Sequence, residues 1–165
     1  MSMASMQLRV GFSTTEHWLS RVIRFFTKSS VSHCWLAYYD DELDVDFVLE
    51  ASEFGFRMIP MDVFRKHNLV KEIVNTGRFL GPAGKVLFSW LGHRYDFTGL
   101  AGMSWTMVWR RLGFRARNPG NSKATLFCSE AVAAILRLSA YPGAETLVPD
   151  QTSPQDVYDF LKGRP

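Results

Sequence analysis

The chain opens on an alternation of apolar and polar positions. Gln7 to Phe12 changes character at every residue, the pattern of a half-buried strand. Ser13, Thr14, Thr15 and Glu16 follow with cap chemistry: hydroxyls that accept from free backbone N–H groups, and an acid for a first turn. The spacing then becomes helical over roughly His17 to Lys28. Trp18, Val22 and Phe25 or Phe26 fall on one side, and Arg21, Arg24 and Lys28 on the other. That basic stripe is read as a solvated face in preference to a membrane contact.

Ser32 to Tyr39 is rich in aromatic and apolar residues and stops at Asp40-Asp41, which predicts a buried strand and a turn. Asp46 to Ser52 and Gly55 to Met61 predict two more strands, and Pro60 puts the second at its end or at a sheet edge. Leu69 to Asn75 predicts a further strand, after a short helix or loop at Met61 to Asn68. Ser32 to Thr76 therefore reads as an antiparallel meander. Gly81-Pro82-Ala83-Gly84 is read as a breaker, Lys85 to Leu91 as helical, and Gly92 to Asp96 as a helix end and turn. Phe97 to Leu112 is a helical or irregular apolar segment, and Arg115 to Lys123 a loop. Phe127 to Leu138 predicts a helix with Ala131, Val132, Ile135 and Leu136 on its apolar side. Tyr141 to Ser153 reads as a loop, and Ser153-Pro154-Gln155-Asp156 opens a last helix through Leu161, with Pro154 where its missing N–H costs nothing. A strand and helix, a β meander and then helices make an α+β arrangement, with the helices to one side of an antiparallel sheet.

Composition narrows the class. A length of 165 residues suits a single domain over 1–165, and 47% hydrophobic with 14% aromatic residues argues for a packed core and against disorder. The net charge of +3 suits an anionic partner without requiring one, and no block of like charge reads as a nucleic-acid arm. The nearest is Arg115-Ala116-Arg117 behind Arg110 and Arg111. The two cysteines, Cys34 and Cys128, cannot make a disulfide framework, and no zinc-like Cys/His spacing is present; reduced thiols are expected. Met1 to Met6 lacks the basic and apolar regions of a signal peptide, and the apolar stretch Gly99 to Trp109 is too short to span a bilayer. A cytoplasmic protein with no transmembrane segment is expected, export by another route staying open.

Three residues carry candidate chemistry. Cys128 falls at the start of a predicted helix, in Leu126-Phe127-Cys128-Ser129-Glu130-Ala131-Val132. Free N–H groups and the positive end of the helix dipole there favour thiolate over thiol, and the same groups can serve an oxyanion. Glu130 in that turn works slightly against the thiolate. His33 falls near the start of a strand, which holds an imidazole more firmly than a loop and suits a general base. Its neighbour Cys34 projects to the opposite strand face and is expected to face away from the site. Glu50 follows Phe47-Val48-Leu49 in another strand. If the two strands are hairpin neighbours, Glu50 approaches His33 and fixes its tautomer; Glu53 is the nearby competitor. For each there is a plain alternative: a buried structural cysteine, a satisfied histidine, an exposed acid. His17 and His67 sit in polar settings, and His93 is a second base candidate in a turn. Tyr95 and Asp96 could line a site or pack a turn. No GxSxG elbow, Walker loop or dinucleotide fingerprint is present, and the histidines are too scattered for a legible metal site.

At these residues the chain resembles the circularly permuted NlpC-type papain-like hydrolases, the YiiX/YebB-like group, to which lecithin retinol acyltransferase-like enzymes are related. The His motif is matched by Ser32-His33 and the apolar Trp35-Leu36-Ala37-Tyr38, and the third-residue motif by Val48-Leu49-Glu50-Ala51 with the strand from Gly55 to Pro60. The Cys motif is matched by Phe127-Cys128-Ser129-Glu130-Ala131-Val132, and Tyr95-Asp96-Phe97 is similar to an element before the Cys helix. Phe12-Ser13 and Phe26-Thr27-Lys28 also match members that open with a strand and helix. The likeness covers about Val10 to Leu161, and the order of the motifs, His before Cys, is the permuted one. Cys34 after the His and the Trp-rich Met103 to Trp109 depart from the pattern.

The resemblance implies a permuted papain-like fold, an antiparallel sheet or small barrel packed against helices. It implies a Cys128–His33–Glu50 triad, with Tyr95 at the wall of the site, and no metal or organic cofactor. The activity expected is that of a cysteine hydrolase or acyltransferase acting on an amide or ester bond, in a cell-wall peptide (a peptidoglycan fragment) or a lipid acyl group. The rivals are a non-catalytic lipid- or peptide-binding module on the same fold, and an interaction protein docking through its Trp segment. Oligomeric state is not legible in the sequence.

Overall fold

The computed structural model describes residues 6–14, 30–52, 55–92 and 128–163. The strands are β1 (Gln7–Thr14), β2 (His33–Asp40), β3 (Val45–Ser52), β4 (Gly55–Pro60) and β5 (Leu69–Phe79). The helices are α1 (Met61–Arg65), α2 (Gly81–Ser89), α3 (Cys128–Leu138) and α4 (Pro154–Leu161), with 3-10 turns at Ala144–Thr146 and Pro149–Gln151. The predicted helix over His17 to Lys28, the segment from His93 to Lys123 and the Trp-rich stretch within it lie outside the described residues.

The strands form one five-stranded antiparallel sheet in the order β4-β3-β2-β1-β5. The protein is therefore α+β, and among the described residues its sheet is open. β2, β3 and β4 make the expected meander. β5 does not continue it: it crosses to the far edge and pairs with β1, from Gln7↔Phe79 to Thr14↔Leu69. An apolar pattern says that a strand is half-buried and says nothing of which strand it pairs with, so the sequence reading placed β5 next in line and the structure corrects it. Gly81-Pro82-Ala83-Gly84, read as a breaker, is the first turn of α2. Pro is tolerated there because the first N–H groups of a helix have no intrahelical partner.

The period of two along each strand sorts side chains between two cores. Leu8, Val10 and Phe12 of β1, Cys34, Leu36 and Tyr38 of β2, and Leu49 and Ala51 of β3 all point to one face. There they meet Leu80, Ala83 and Leu87 at α2, Ala131, Val132, Ile135 and Leu136 of α3, and Val157 of α4. On the other face Trp35, Ala37 and Val48 pack with Met61 and Phe64 of α1. The helices are thus not all on one side, since α1 covers the second face. Its sequence is short because it has only this small patch to bury.

Two local features fix the frame around the site. Trp35 lies flat against Gly11, its cross-strand partner, so closely that a Cβ at Gly11 would stand 2.1 Å from the indole. The indole Nε1–H donates to the buried Ser13 Oγ at 3.2 Å, and its ring meets Phe64 edge-on at 4.9 Å. At the β2–β3 turn, Asp40 Oδ1 accepts from the N–H groups of Glu42 and Leu43, both at 3.1 Å. This is the carboxylate-closed turn that Asp40-Asp41 announces in the sequence.

Candidate active site

His33, Glu50 and Arg57 share the face covered by α1. His33 is the first residue of β2, and Glu50 lies in the second half of β3. The β2–β3 ladder runs from Asp40↔Val45 to Leu36↔Leu49. Continuing that antiparallel count sets Glu50 diagonally across from His33, on the same face, and Glu50↔Arg57 is a direct cross-strand pair. The side chains close the geometry. His33 Nε2 stands 2.7 Å from Glu50 Oε2, while Arg57 donates to Glu50 Oε1 through Nε at 2.9 Å and Nη2 at 2.6 Å. Each carboxylate oxygen is thus engaged, one by the imidazole and one by the guanidinium.

Glu50 is only 3% exposed. Burial alone would push its carboxyl up. The hydrogen bond and charge of His33, then those of Arg57, outweigh it and hold the group below its ordinary 4.5. An ionised carboxylate only accepts, so Nε2 of His33 carries the proton and donates. The remaining ring nitrogen, Nδ1, is left for another partner.

That partner is Cys128, at the start of α3. The first N–H groups of a helix lack intrahelical acceptors and carry the positive end of its dipole, so a sulfur anion is favoured there. Burial opposes charging His33, but hydrogen bonds to Cys128 and Glu50 and the charges of both outweigh it and push the imidazole up to about 10. Cys128 moves the other way. A hydrogen bond from the Cys34 thiol lowers it most; burial raises it; the hydrogen bond and charge of His33 and the backbone N–H of Cys34 lower it further. The result is well below 9.0. Both shifts favour the thiolate–imidazolium form of the pair. Cys128 is partly exposed as a residue, and the His33 side chain is 17% exposed.

The structure therefore brings together Cys128, His33 and Glu50. Glu53, the competing acid, and Tyr95 lie outside the described residues, as do His93 and Asp96. His67 follows α1 in an exposed turn. Cys34 requires a correction. Strand alternation puts it on the face opposite His33, as expected, yet it does not face away from the site: its thiol and its backbone N–H both reach Cys128. The reason is positional. His33 and Cys34 stand at the end of β2, beyond the last β2–β3 pair, Leu36↔Leu49. α3 packs against β2, and Cys128 at its start acts electrostatically on both residues. Burial and its contact with the Cys128 anion push the Cys34 thiol well above 9.0, so it stays protonated and donates.

Arg57 was not anticipated, although a signal was present. Ser52 pairs with Gly55 at the β3–β4 turn. Counting back two residues from each sets Arg57 opposite Glu50. Phe64 also contributes, its ring centroid 6.4 Å from that of His33 and its side chain fully buried. It flanks the imidazole on the α1 side. Among the described residues no three His, Cys, Asp or Glu side chains are grouped to hold a metal ion, and no helix is long and apolar enough to cross a membrane. No protein-family model matches the chain, and no curated protein matches it either.

Proposed function

We propose that the protein is a cysteine hydrolase or acyltransferase acting on an amide or ester bond, built on a circularly permuted papain-like fold of the NlpC type. The observation that carries this reading is the His33–Glu50 contact at 2.7 Å on a buried carboxylate, with the shifts of His33 and Cys128 toward an imidazolium–thiolate pair in support. Its order in the chain, base before nucleophile, matches the permuted arrangement, and the open antiparallel sheet with α3 against β2 is compatible with it.

In this mechanism the Cys128 thiolate attacks the carbonyl carbon, and the electron pair of the C=O bond moves to oxygen. The N–H groups at the start of α3 donate to that oxyanion. The His33 imidazolium, donating Nε2–H to Glu50, gives its Nδ1 proton to the leaving amine or alcohol as the tetrahedral intermediate collapses to a thioester. The now neutral imidazole takes a proton from water or from an acceptor nucleophile, which releases the acyl group and restores the thiolate. Glu50 stabilises the imidazolium throughout and is not itself protonated. A cell-wall peptide or a lipid acyl group is the substrate class that the family resemblance suggests.

The test is the rate of Cys128 alkylation by iodoacetamide against pH, followed by mass spectrometry in wild type and His33→Ala, with the buried Cys34 as internal control. Fast reaction below pH 8 that is lost in the variant is the expected result. A Cys128 as inert as Cys34 and indifferent to His33 would leave a binding module in place of an enzyme.

A further inference from the structure

A charged side chain stands on the apolar side of the sheet, near the end of β5. Arg78 pairs across the strands with Leu8. Directly opposed residues share a face, so the arginine is on the side where Leu8, Val10 and Phe12 meet the helices. The ladder is irregular here: it steps from Leu8↔Arg78 to Arg9↔Asn75 and leaves Thr76 and Gly77 as extra residues. This bulge satisfies its own polar groups. The Thr76 hydroxyl donates to the Leu8 carbonyl at 2.6 Å and accepts from the Arg78 N–H at 3.1 Å. Asn75 Oδ1 accepts from the Gly77 N–H at 3.0 Å. The guanidinium is different. Arg78 is partly buried, yet among the described residues its side chain has no hydrogen bond or ion pair. A cation drawn out of water in this way ordinarily has an anionic partner.

Arg78 lines a cavity of about 470 Å³, within the range of small-molecule sites, about 300–1,000 Å³. Its other walls are mainly apolar. Tyr141 and Phe160 stand edge to face with ring centroids 5.7 Å apart, and Leu161 lies beside them. Gly77 and Gly163 also line it, and a Cβ on either would meet nothing within 4 Å, so there is open room along the backbone. No described Asp or Glu is in the lining. The carbonyl end of α4 borders the cavity and would oppose an anion. However, the carbonyls of Tyr158 and Phe160 already accept from the N–H groups of Lys162 and Gly163.

We propose that this cavity is a second binding site, for a small aromatic carboxylate whose anion pairs with Arg78 and whose ring packs on Tyr141 and Phe160. One cation balances one negative charge, which favours a carboxylate over a dianionic phosphate, and the guanidinium fork matches two carboxylate oxygens. The edge-to-face ring pair offers a third ring the same kind of contact. The site is separate from Cys128. Tyr141 follows the far end of α3, whose 11 residues span about 16 Å. The inference is independent of the acyl-transfer reading.

The test is calorimetric titration of the whole protein with naphthylacetate, alongside amide NMR. Two comparison probes are naphthylacetamide, which keeps the ring without the charge, and acetate, which keeps the charge without the ring. The expected result is saturable binding of naphthylacetate that moves the amide signals of Gly77, Arg78, Gly143 and Gly163 and leaves that of Glu50 in place. Both comparison probes should bind at least roughly 10-fold more weakly. Arg78→Ala should weaken naphthylacetate roughly 10- to 100-fold, the range for hydrogen bonds to a charged group, and Arg78→Lys should fall between. Cys128 alkylation in Arg78→Ala should match wild type, which shows that the variant is folded. Equal binding of the acid and the amide, or shifts centred on Glu50, would overturn the proposal. So would wild-type affinity in Arg78→Ala. Because acid and amide are compared in wild type, a variant that failed to fold would not rescue it.

Discussion

His33 and Glu50 meet at 2.7 Å, although they come from different strands and from the ends of those strands farthest from the turn that joins them. Their contact depends on the whole β2–β3 register, because a slip of one residue would turn Glu50 to the opposite face. The register is over-determined. Leu36, Tyr38, Leu49 and Ala51 all need the helix-covered face, and Trp35, Ala37 and Val48 need the α1 face. The polar site is therefore positioned by the apolar packing on the two faces of the sheet.

Removal of the Glu50 charge tests that contact. Glu50→Gln keeps the shape but removes the negative charge that Arg57 and the imidazolium face. A hydrogen bond to a charged group is worth about 1.5–3 kcal/mol, so kcat/KM on a p-nitrophenyl acyl ester should fall roughly 10- to 150-fold. Arg57→Ala should fall less, because His33 still engages Glu50; His33→Ala should lose about 10²–10⁴-fold, the range for a general acid–base group. Equal losses for Arg57→Ala and His33→Ala would contradict the assigned roles.

The Cys128–His33 pair sets a pH signature for stability. His33 is raised from 6.5 to about 10, so its contribution is complete below pH 6.5 and is lost as pH rises toward 10. Cys128 is depressed below 9.0, so its contribution is present above pH 9.0 and is lost as pH falls toward the folded-state value. Just below pH 9.0 the folded pair and the unfolded pair each bind one proton, and their contribution is flat. From 9.0 to about 10 stability drops by about 1.4 kcal/mol per pH unit for the single proton concerned. Urea unfolding of wild type and of the Cys128→Ala, His33→Ala double variant across pH should differ by this profile. Parallel curves would refute the ion pair.

Gly11 is predicted to be intolerant for a reason of space. The Trp35 indole occupies the volume that any Cβ there needs. Gly11→Ala should destabilise by about 1–3 kcal/mol, the usual cost of forcing a methyl into a packed site, read as a drop in urea midpoint. It should also loosen β2 beside His33 and slow Cys128 alkylation. An alanine variant as stable as wild type would show that the indole moves aside at no cost.

The cap of α4 offers a check outside the Cys128–His33–Glu50 group. Ser153 Oγ accepts from Asp156 N–H at 3.2 Å, and Asp156 Oδ2 accepts from Ser153 N–H at 2.8 Å. Ser153→Ala should cost about 1 kcal/mol in urea unfolding, with the alkylation rate of Cys128 unchanged. A changed rate would mean that α4, which packs against α3 and β2, supports the site.

Much of this was legible from residue types and spacing. Strand alternation found the faces, Asp40-Asp41 marked the turn, and Ser153-Pro154 opened the last helix where the cap requires it. What escaped was tertiary. The pattern of Leu69 to Phe79 fits a neighbour of β4 as well as one of β1, and only packing chooses. The alternation argument put Cys34 on the correct face but could not foresee its influence on Cys128 at the start of α3. Arg57 was missed because a lone arginine in a strand reads as solvent-facing until the turn register is counted.

The separation of base and nucleophile along the chain has a consequence for biosynthesis. His33, Glu50 and Arg57 all precede α1, whereas Cys128 opens α3. A nascent chain emerges amino end first, so the imidazole, carboxylate and guanidinium leave the ribosome while the thiol is still unmade. Their sheet, including β5 as the second neighbour of β1, has also been translated by then. Chains that stall or are cut before Cys128 carry an unarmed scaffold, and the charged sulfur arises only when α3 docks against a sheet whose strands are already synthesised. The same division offers a place to split the molecule: one fragment holding the base and acid, the other the nucleophile, with thiol reactivity as the signal that they have found each other.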